Sequence, residues 1–364
     1  MNNYLEKLYE INFEKFFPKQ RKVEITNSHT LVKGSSKSGK SYLIYDYLKR
    51  YKSEQYLYIN LNDFRFDTNT ILYNLDKFIT NNTSIKVLAL DNCEQLNITM
   101  LNAINDISQL TSIILSSSID LSITNYNILK LSALDFEEYI LFDTKHQNTT
   151  NSFNSFLKYG NLPEIIQVNE NNKMLRNQEI LKLITNNQLE LNILKLYLLS
   201  CGELKSIFQL FNSFKKFNKI SKDMFYQIST ELGDKGIIYF CQKYNSSKAP
   251  KKIFTYNHAM INSITLDNKF NNILLNMIFL ELKTHFINIY YLDSIDFYIE
   301  DTNSIIMSIP FFTNHMSILE KLLLAMGKCY VENITIITIN NEQTFKIGDI
   351  ECEVLPFYSW SLGL

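Results

Sequence analysis

The stretch that most constrains this chain is Gly34-Ser35-Ser36-Lys37-Ser38-Gly39-Lys40-Ser41, which fits G-x-x-x-x-G-K-[ST]. An apolar run ending at Leu31 and Val32 precedes it, and apolar residues at helical spacing follow from Tyr42 to Lys49. A buried strand turning into a helix is therefore expected here. Backbone N–H groups around such a loop and at the helix start bind phosphate oxygens, provided that little side chain stands in the way. Gly34 and Gly39 supply that freedom, and the chain spends only 9 glycines over 364 residues, so two at the required spacing argue against a chance loop. Lys40 is expected to reach the β- and γ-phosphates and the Ser41 hydroxyl to ligate Mg²⁺. Ser35, Ser36, Lys37, Ser38 and Tyr42 complete the stretch expected against the nucleotide.

A chain of this length points to two or three domains. Its formal net charge of −1 excludes a global basic field, so binding to nucleic acid or membrane would need a local patch. Arginine occurs only at positions 21, 50, 65 and 176, which leaves few candidates for an arginine finger. Cys93, Cys201, Cys241, Cys329 and Cys352 are scattered without any C-x-x-C, so neither a zinc site nor a disulfide framework is expected, and a reducing cytoplasm fits. The N-terminus lacks the pattern of a signal peptide and no apolar run approaches a membrane span, so no membrane partner is expected.

Residues 1–20 place Leu5, Leu8, Ile11, Phe13, Phe16 and Phe17 at helical spacing before Pro18. A strand at 56–61, a helical pattern at 70–79 and a strand at 84–91 follow. Asp91 ends that strand, where a carboxylate would hold Mg²⁺ through water. Asn92 stands where hydrolytic relatives of this arrangement place a Glu that polarises the attacking water, with Glu94 two residues on. An amide orients a water but takes no proton at neutral pH, so either Glu94 substitutes or hydrolysis is slow. The strand at 111–115 ends in Ser116-Ser117-Ser118; one of these, Ser116 first, would sense the γ-phosphate, unless the run is only a polar strand exit. A fifth strand at 128–131 completes an α/β fold, a parallel sheet with helices on both faces and the ligand at the strands' C-terminal ends.

Helical segments from Asp135 to Ser200, with a polar break at 145–152, describe a lid. Residues 203–214 and 221–232 read as helices, Ser221 capping the second, and the strands at 236–241 and 252–256 flank a turn-rich 245–250. Helices followed by a hairpin describe a winged helix, a module that often binds DNA. Lys215, Lys216, Lys219, Lys243, Lys248, Lys251 and Lys252 would serve phosphate contact, whereas 221–228 is not obviously basic, so packing or protein docking is the rival reading. From Phe270 to His285 an amphipathic helix precedes strands at 294–299 and 304–309 and a helix at 318–326. This order suggests a restriction-nuclease-like core in which Asp296 is the first acid, but Ser308 and Pro310 stand where a second acid and a lysine are needed, so nuclease activity is not expected. The boundaries expected are 1–143 for the phosphate-binding core, 144–200 for the lid, 201–258 for the winged-helix segment and 259–364 for the terminal domain.

With these residues in hand the chain resembles the prokaryotic AAA+-like P-loop ATPases that carry a C-terminal restriction-nuclease-related domain. Asn60-Leu61-Asn62-Asp63-Phe64-Arg65 is similar to that family's Asp-x-Arg turn, 131–139 to its L-x-P-L-S-F-x-E-F stretch and Tyr159-Gly160-Asn161-Leu162-Pro163-Glu164 to its G-G-x-P-E segment. Residues 279–282 with 295–297 resemble the opening of its terminal domain. The resemblance implies Mg·ATP held by Lys40, Ser41 and Asp91. The departures are Asn92 for the catalytic Glu, Ala133 for Pro, the missing Gly-Arg near 125–126 and the lost acid-x-Lys. Three readings stand: a cytoplasmic ATP-binding switch with weak or partner-dependent hydrolysis, an ATP-modulated DNA-binding protein, or a scaffold with a vestigial site. A homo-oligomer or protein partner is open, with Arg65 and Arg176 as candidate fingers.

Overall fold

The computed structural model describes residues 3–146, 148–267, 269–314 and 316–364. Two compact units emerge, Met1–Ser132 with Asp234–Gly236, and Ala133–Gly233 with Ile237–Leu364.

In the first unit, α1 (Asn3–Tyr9) precedes β1 (His29–Lys33), α2 (Lys40–Leu48), β2 (Tyr56–Asn60), α3 (Thr68–Asn81), β3 (Val87–Asp91), α4 (Ile98–Asn105), β4 (Ser112–Ser117) and β5 (Asn127–Lys130). The five strands form one parallel sheet in the order β2-β3-β4-β1-β5. Strand alternation divides the core between the two faces. Leu31, Leu57, Ile59, Leu88 and Leu90 pack with α1, α3 and α4, while Val32, Tyr56, Tyr58, Val87 and Ala89 pack with α2. Asp67 and Asn97 cap α3 and α4 by accepting from the N–H groups of Thr70 and Met100, fixing where each helix leaves its loop.

The N-terminal helix is shorter than its apolar spacing suggests and ends at Tyr9. The Asn12 side chain accepts the Glu14 N–H at 2.7 Å, a local turn that competes with the helix. Phe13 then stacks on Tyr45 at 4.4 Å and donates its N–H to the Tyr56 hydroxyl. Ile11, Phe13 and Phe16 are thus half-buried by a loop, whereas Phe17 is 86% exposed.

The second unit opens with α5 (Phe136–Phe142), α6 (Thr149–Tyr159), α7 (Pro163–Gln167), α8 (Glu170–Leu183) and α9 (Gln188–Leu199). Residue 147, inside the polar break expected at 145–152, lies outside the described residues. Gly160 ends α6 at φ 91°, and a Cβ there would stand 2.1 Å from Asn257 Oδ1, so only glycine fits. Next come β6 (Leu204–Lys205), α10 (Ile207–Lys215), α11 (Lys222–Asp234), β7 (Ile238–Lys243) and β8 (Lys251–Thr255). The helix expected from Glu203 starts later because Ser206 and Gln209 form a reciprocal capping box, freeing Leu204 and Lys205 to pair with β8.

The remainder is α12 (Phe270–His285), β9 (Ile289–Leu292), β10 (Ile295–Ile299), β11 (Ser304–Ser308), α13 (Met316–Met326), β12 (Asn333–Thr338), β13 (Gln343–Ile347), β14 (Ile350–Pro356) and α14 (Phe357–Ser361). Among the described residues the nine strands of this unit belong to one sheet, β13-β14-β12-β11-β10-β9-β7-β8-β6. The hairpin of β7 and β8 joins it through Gln242 and Lys243, which run parallel to Tyr290 and Tyr291. Phe254 stacks on Phe279 at 4.0 Å, so the hairpin and α12 share one core.

Candidate nucleotide site

The loop from Gly34 to Gly39 leaves β1 at its C-terminal end and enters α2 with Gly39 at φ 101° and Lys37 at φ 66°. Both are left-handed conformations, which glycine adopts at little cost and lysine at some strain. Gly34 is required for a different reason: a Cβ on it would lie 2.1 Å from the Leu131 carbonyl oxygen. Its N–H donates to Ser117 O at 3.1 Å, pinning the start of the loop to β4. Lys40 folds back and donates to the carbonyls of Gly34 at 2.8 Å and Ser35 at 3.1 Å. Burial pushes its ammonium below the usual lysine range, and the nearby carboxylates of Glu94 and Asp91 oppose that shift. An anion in the loop would therefore meet a buried cation that gains from its charge. The Ser38 hydroxyl is buried without a hydrogen-bond partner among the described residues, a polar atom that a phosphate oxygen would satisfy.

The strand order brings the second half of the site together, because β4 separates β1 from β3 and all three end at the same edge. Asp91, fully buried at the end of β3, accepts from Ser41 Oγ at 2.5 Å, from Tyr58 OH at 2.9 Å and from Ser116 Oγ. Ser116 in turn accepts the Asn92 N–H at 3.0 Å. Desolvation, with the Asp91 carboxylate beside it, drives the Tyr58 phenol far up, so it stays a donor. A hydroxyl and a carboxylate facing each other offer hard oxygen ligands of the kind that Mg²⁺ takes.

Asn92 sits at φ 62° and its amide donates to Asn60 Oδ1 at 2.8 Å. Glu94 Oε1 accepts from both the N–H and the hydroxyl of Ser118, at 2.7 and 2.8 Å. The serine run is thus divided: Ser116 on Asp91, Ser117 on Gly34 through its carbonyl, and Ser118 on Glu94. Tyr42 is more than half exposed and packs on Phe16 at 5.2 Å. Three participants are not among the site residues expected from the sequence. Tyr58 and Asn60 arrive because β2 lies next to β3, and Arg21 donates from Nη1 to Ser38 O at 2.7 Å and from Nη2 to Ser132 O at 3.0 Å.

Residues 26–140 match the family model described as an AAA domain. This part of the chain is similar to AAA domains. Across a larger span, an uncharacterized protein of Methanocaldococcus jannaschii is 25% identical over 402 aligned positions, covering 93% of this chain and 89% of that one. A Walker-type ATPase of Pyrococcus abyssi superposes with a TM-score of 0.44 at 12% identity over 70% of this chain and 99% of that one. The ORC1 protein of Aeropyrum pernix, solved in complex with DNA, gives a TM-score of 0.36 at 13% identity over 67% and 87%. The AAA match supports nucleotide binding in this part of the chain, and domains of this kind ordinarily take the nucleotide with Mg²⁺.

Within this part of the chain, Arg65 is exposed and paired with Asp63 at 2.5 Å, on a loop bordering a cleft of about 390 Å³ beyond β2. In the second unit Arg176 is bound by Glu164 and, at 2.7 Å, by Glu179. Asp296 on β10 is engaged as well: its Oδ1 accepts from Lys252 Nζ at 3.1 Å and its Oδ2 from the Ser308 N–H at 2.9 Å. A lysine ammonium thus lies against the carboxylate that a nuclease centre would give to a metal. Among the described residues no helix is long and apolar enough to cross a membrane.

Proposed function

We propose that the chain binds Mg·ATP at Gly34–Ser41 and Asp91, hydrolyses it weakly or only with a partner, and works as a nucleotide-dependent switch. The observation that carries this reading is the pairing of Ser41 with Asp91 at 2.5 Å beside a buried Lys40. Lys40 would neutralise the β- and γ-phosphates, Ser41 would ligate the metal directly and Asp91 through water. Mg²⁺, when bound, supplies charge neutralisation between the phosphates. Weak chemistry follows from two contacts. Asn92 offers an amide where a base is needed, and Glu94, the other candidate, is held by two bonds to Ser118. Ser116, bonded to both Asp91 and the residue after it, is placed to relay the state of the phosphates. The experiment is a binding titration and a turnover assay on one sample: ATP should bind, with turnover far below the ~1–10³ s⁻¹ typical of enzymes. Turnover within that range without a partner would contradict the reading.

A second reading, DNA binding tuned by ATP, is favoured by the surface of α10 and α11. Exposed Lys215, Lys216, Lys219 and Lys222 cluster there. Lys222 Nζ stands 5.6 Å from the ring of Phe208 and 5.4 Å from that of Tyr226, and Phe217 is 88% exposed. Aromatic faces among lysines suit bases and phosphates. The hairpin contributes less, since Lys243 pairs with Asp293 and Lys252 with Asp296. A gel shift that weakens steeply with salt and is lost in Lys215→Glu/Lys222→Glu is expected under this reading; absence of any shift at low salt would exclude it.

A further inference from the structure

We infer that Tyr58 is a positioning residue for the metal half of the nucleotide site, holding the Asp91 carboxylate in the orientation from which it serves Mg²⁺. The inference rests on the Mg·ATP reading of that site and adds to it what sets the grip on the metal. Strand register places Tyr58. It pairs with Ala89 across the parallel β2 and β3, and Asp91 lies two residues beyond Ala89, so Tyr58 and Asp91 face the same side of the sheet. That side is covered by α2, on which Ser41 and Tyr45 stand four residues apart and so share one face of the helix.

The four side chains close a circuit. Asp91 Oδ2 accepts from Ser41 Oγ at 2.5 Å and from Tyr58 OH at 2.9 Å, and the Tyr58 and Tyr45 hydroxyls are 3.0 Å apart. Tyr58 gives its one phenol proton to Asp91, so the bond between the two tyrosines runs from Tyr45 to Tyr58. Two donors fill the lone pairs of Oδ2, and Ser116 Oγ donates to Oδ1, which fixes the carboxylate plane from both oxygens. These donors differ in their other duties. Ser41 is also a metal ligand in this reading and Ser116 also accepts the Asn92 N–H, whereas Tyr58 is buried under α2 with its hydroxyl turned to Asp91 and Tyr45. Its ring is held in turn, because Phe13 stacks on Tyr45 at 4.4 Å and meets Tyr58 edge-on at 5.4 Å. A donor locked behind a carboxylate removes a rotation that metal binding would otherwise have to freeze.

The test is calorimetric titration of ATP into the full chain, in chelator and at saturating Mg²⁺, for the native protein, Tyr58→Phe and Tyr45→Phe. Both substitutions keep the ring and remove one hydroxyl. By linkage, the gain in ATP affinity that Mg²⁺ brings equals the ratio of the Mg²⁺ affinities of bound and free nucleotide, so chelation by ATP in solution cancels between variants. The gain should fall at least about tenfold in Tyr58→Phe and by less in Tyr45→Phe. A general loosening of the site would lower both ATP affinities together and leave their ratio unchanged. A gain as large in Tyr58→Phe as in the native chain would overturn the proposal and leave the nucleotide reading standing; should Tyr58→Phe fail to fold by far-ultraviolet circular dichroism, an undiminished gain in Tyr45→Phe would overturn it instead. No ATP binding by the native chain, or no gain from Mg²⁺, would overturn both.

Discussion

At the scale of single residues, the proposed nucleotide site rests on a few positions where geometry admits one side chain. Gly34→Ala should cost about 1–3 kcal/mol, because the new methyl meets backbone at Leu131 and cannot be relieved by a rotamer change. A denaturant titration measures that loss, and ATP affinity should fall with it. Asn92→Glu carries the opposite expectation for chemistry: turnover should rise, since a carboxylate then stands at the end of β3. The same change should lower stability by about 1 kcal/mol, as asparagine tolerates the left-handed φ of 62° better than glutamate does and its amide bond to Asn60 is lost. Unchanged turnover in a folded Asn92→Glu would show that something other than the missing base limits hydrolysis.

At the scale of elements, helix starts are set by side-chain caps, and Ser206 makes the point. Ser206→Ala should destabilise the second unit by about 1 kcal/mol, read as a lower urea midpoint with an unchanged slope. Caps and periodicity are local, which is why much of this level was legible in the sequence. The amphipathic pattern at 270–285 matches α12 residue for residue, and Ser221 caps α11 by accepting the Met224 N–H. The turn from β1 into α2 at Gly34–Ser41, the acid ending β3 and the serines ending β4 were legible for the same reason. What the sequence hid depends on strand order and long-range pairing. Tyr58 and Asn60 sit on a strand whose neighbour is set by the sheet, and Arg21 lies in an irregular segment with no periodicity to flag it. The parallel pairing of β7 with β9 spans two residue pairs and leaves no pattern. Likewise the contact of Lys252 with Asp296 joins residues that no spacing rule connects.

At the scale of the whole molecule, stability and ligand binding give separate readouts. His258 is buried, its Nε2–H donates to Phe156 O at 2.8 Å, and burial lowers its pKa to about 4 from the usual 6.5. Between those values the unfolded chain binds a proton that the folded chain refuses, so stability falls as pH drops through that window. The loss from this one group should be about 2 kcal/mol between pH 7 and pH 5, and His258→Gln should flatten the dependence. Nucleotide, by contrast, should stabilise the folded chain wherever Lys40 can meet a phosphate. The most direct measurement is therefore calorimetric titration of Mg·ATP into the native chain and into Lys40→Ala. The account predicts saturable binding by the native chain and none by a folded Lys40→Ala; equal affinity in the two would contradict it.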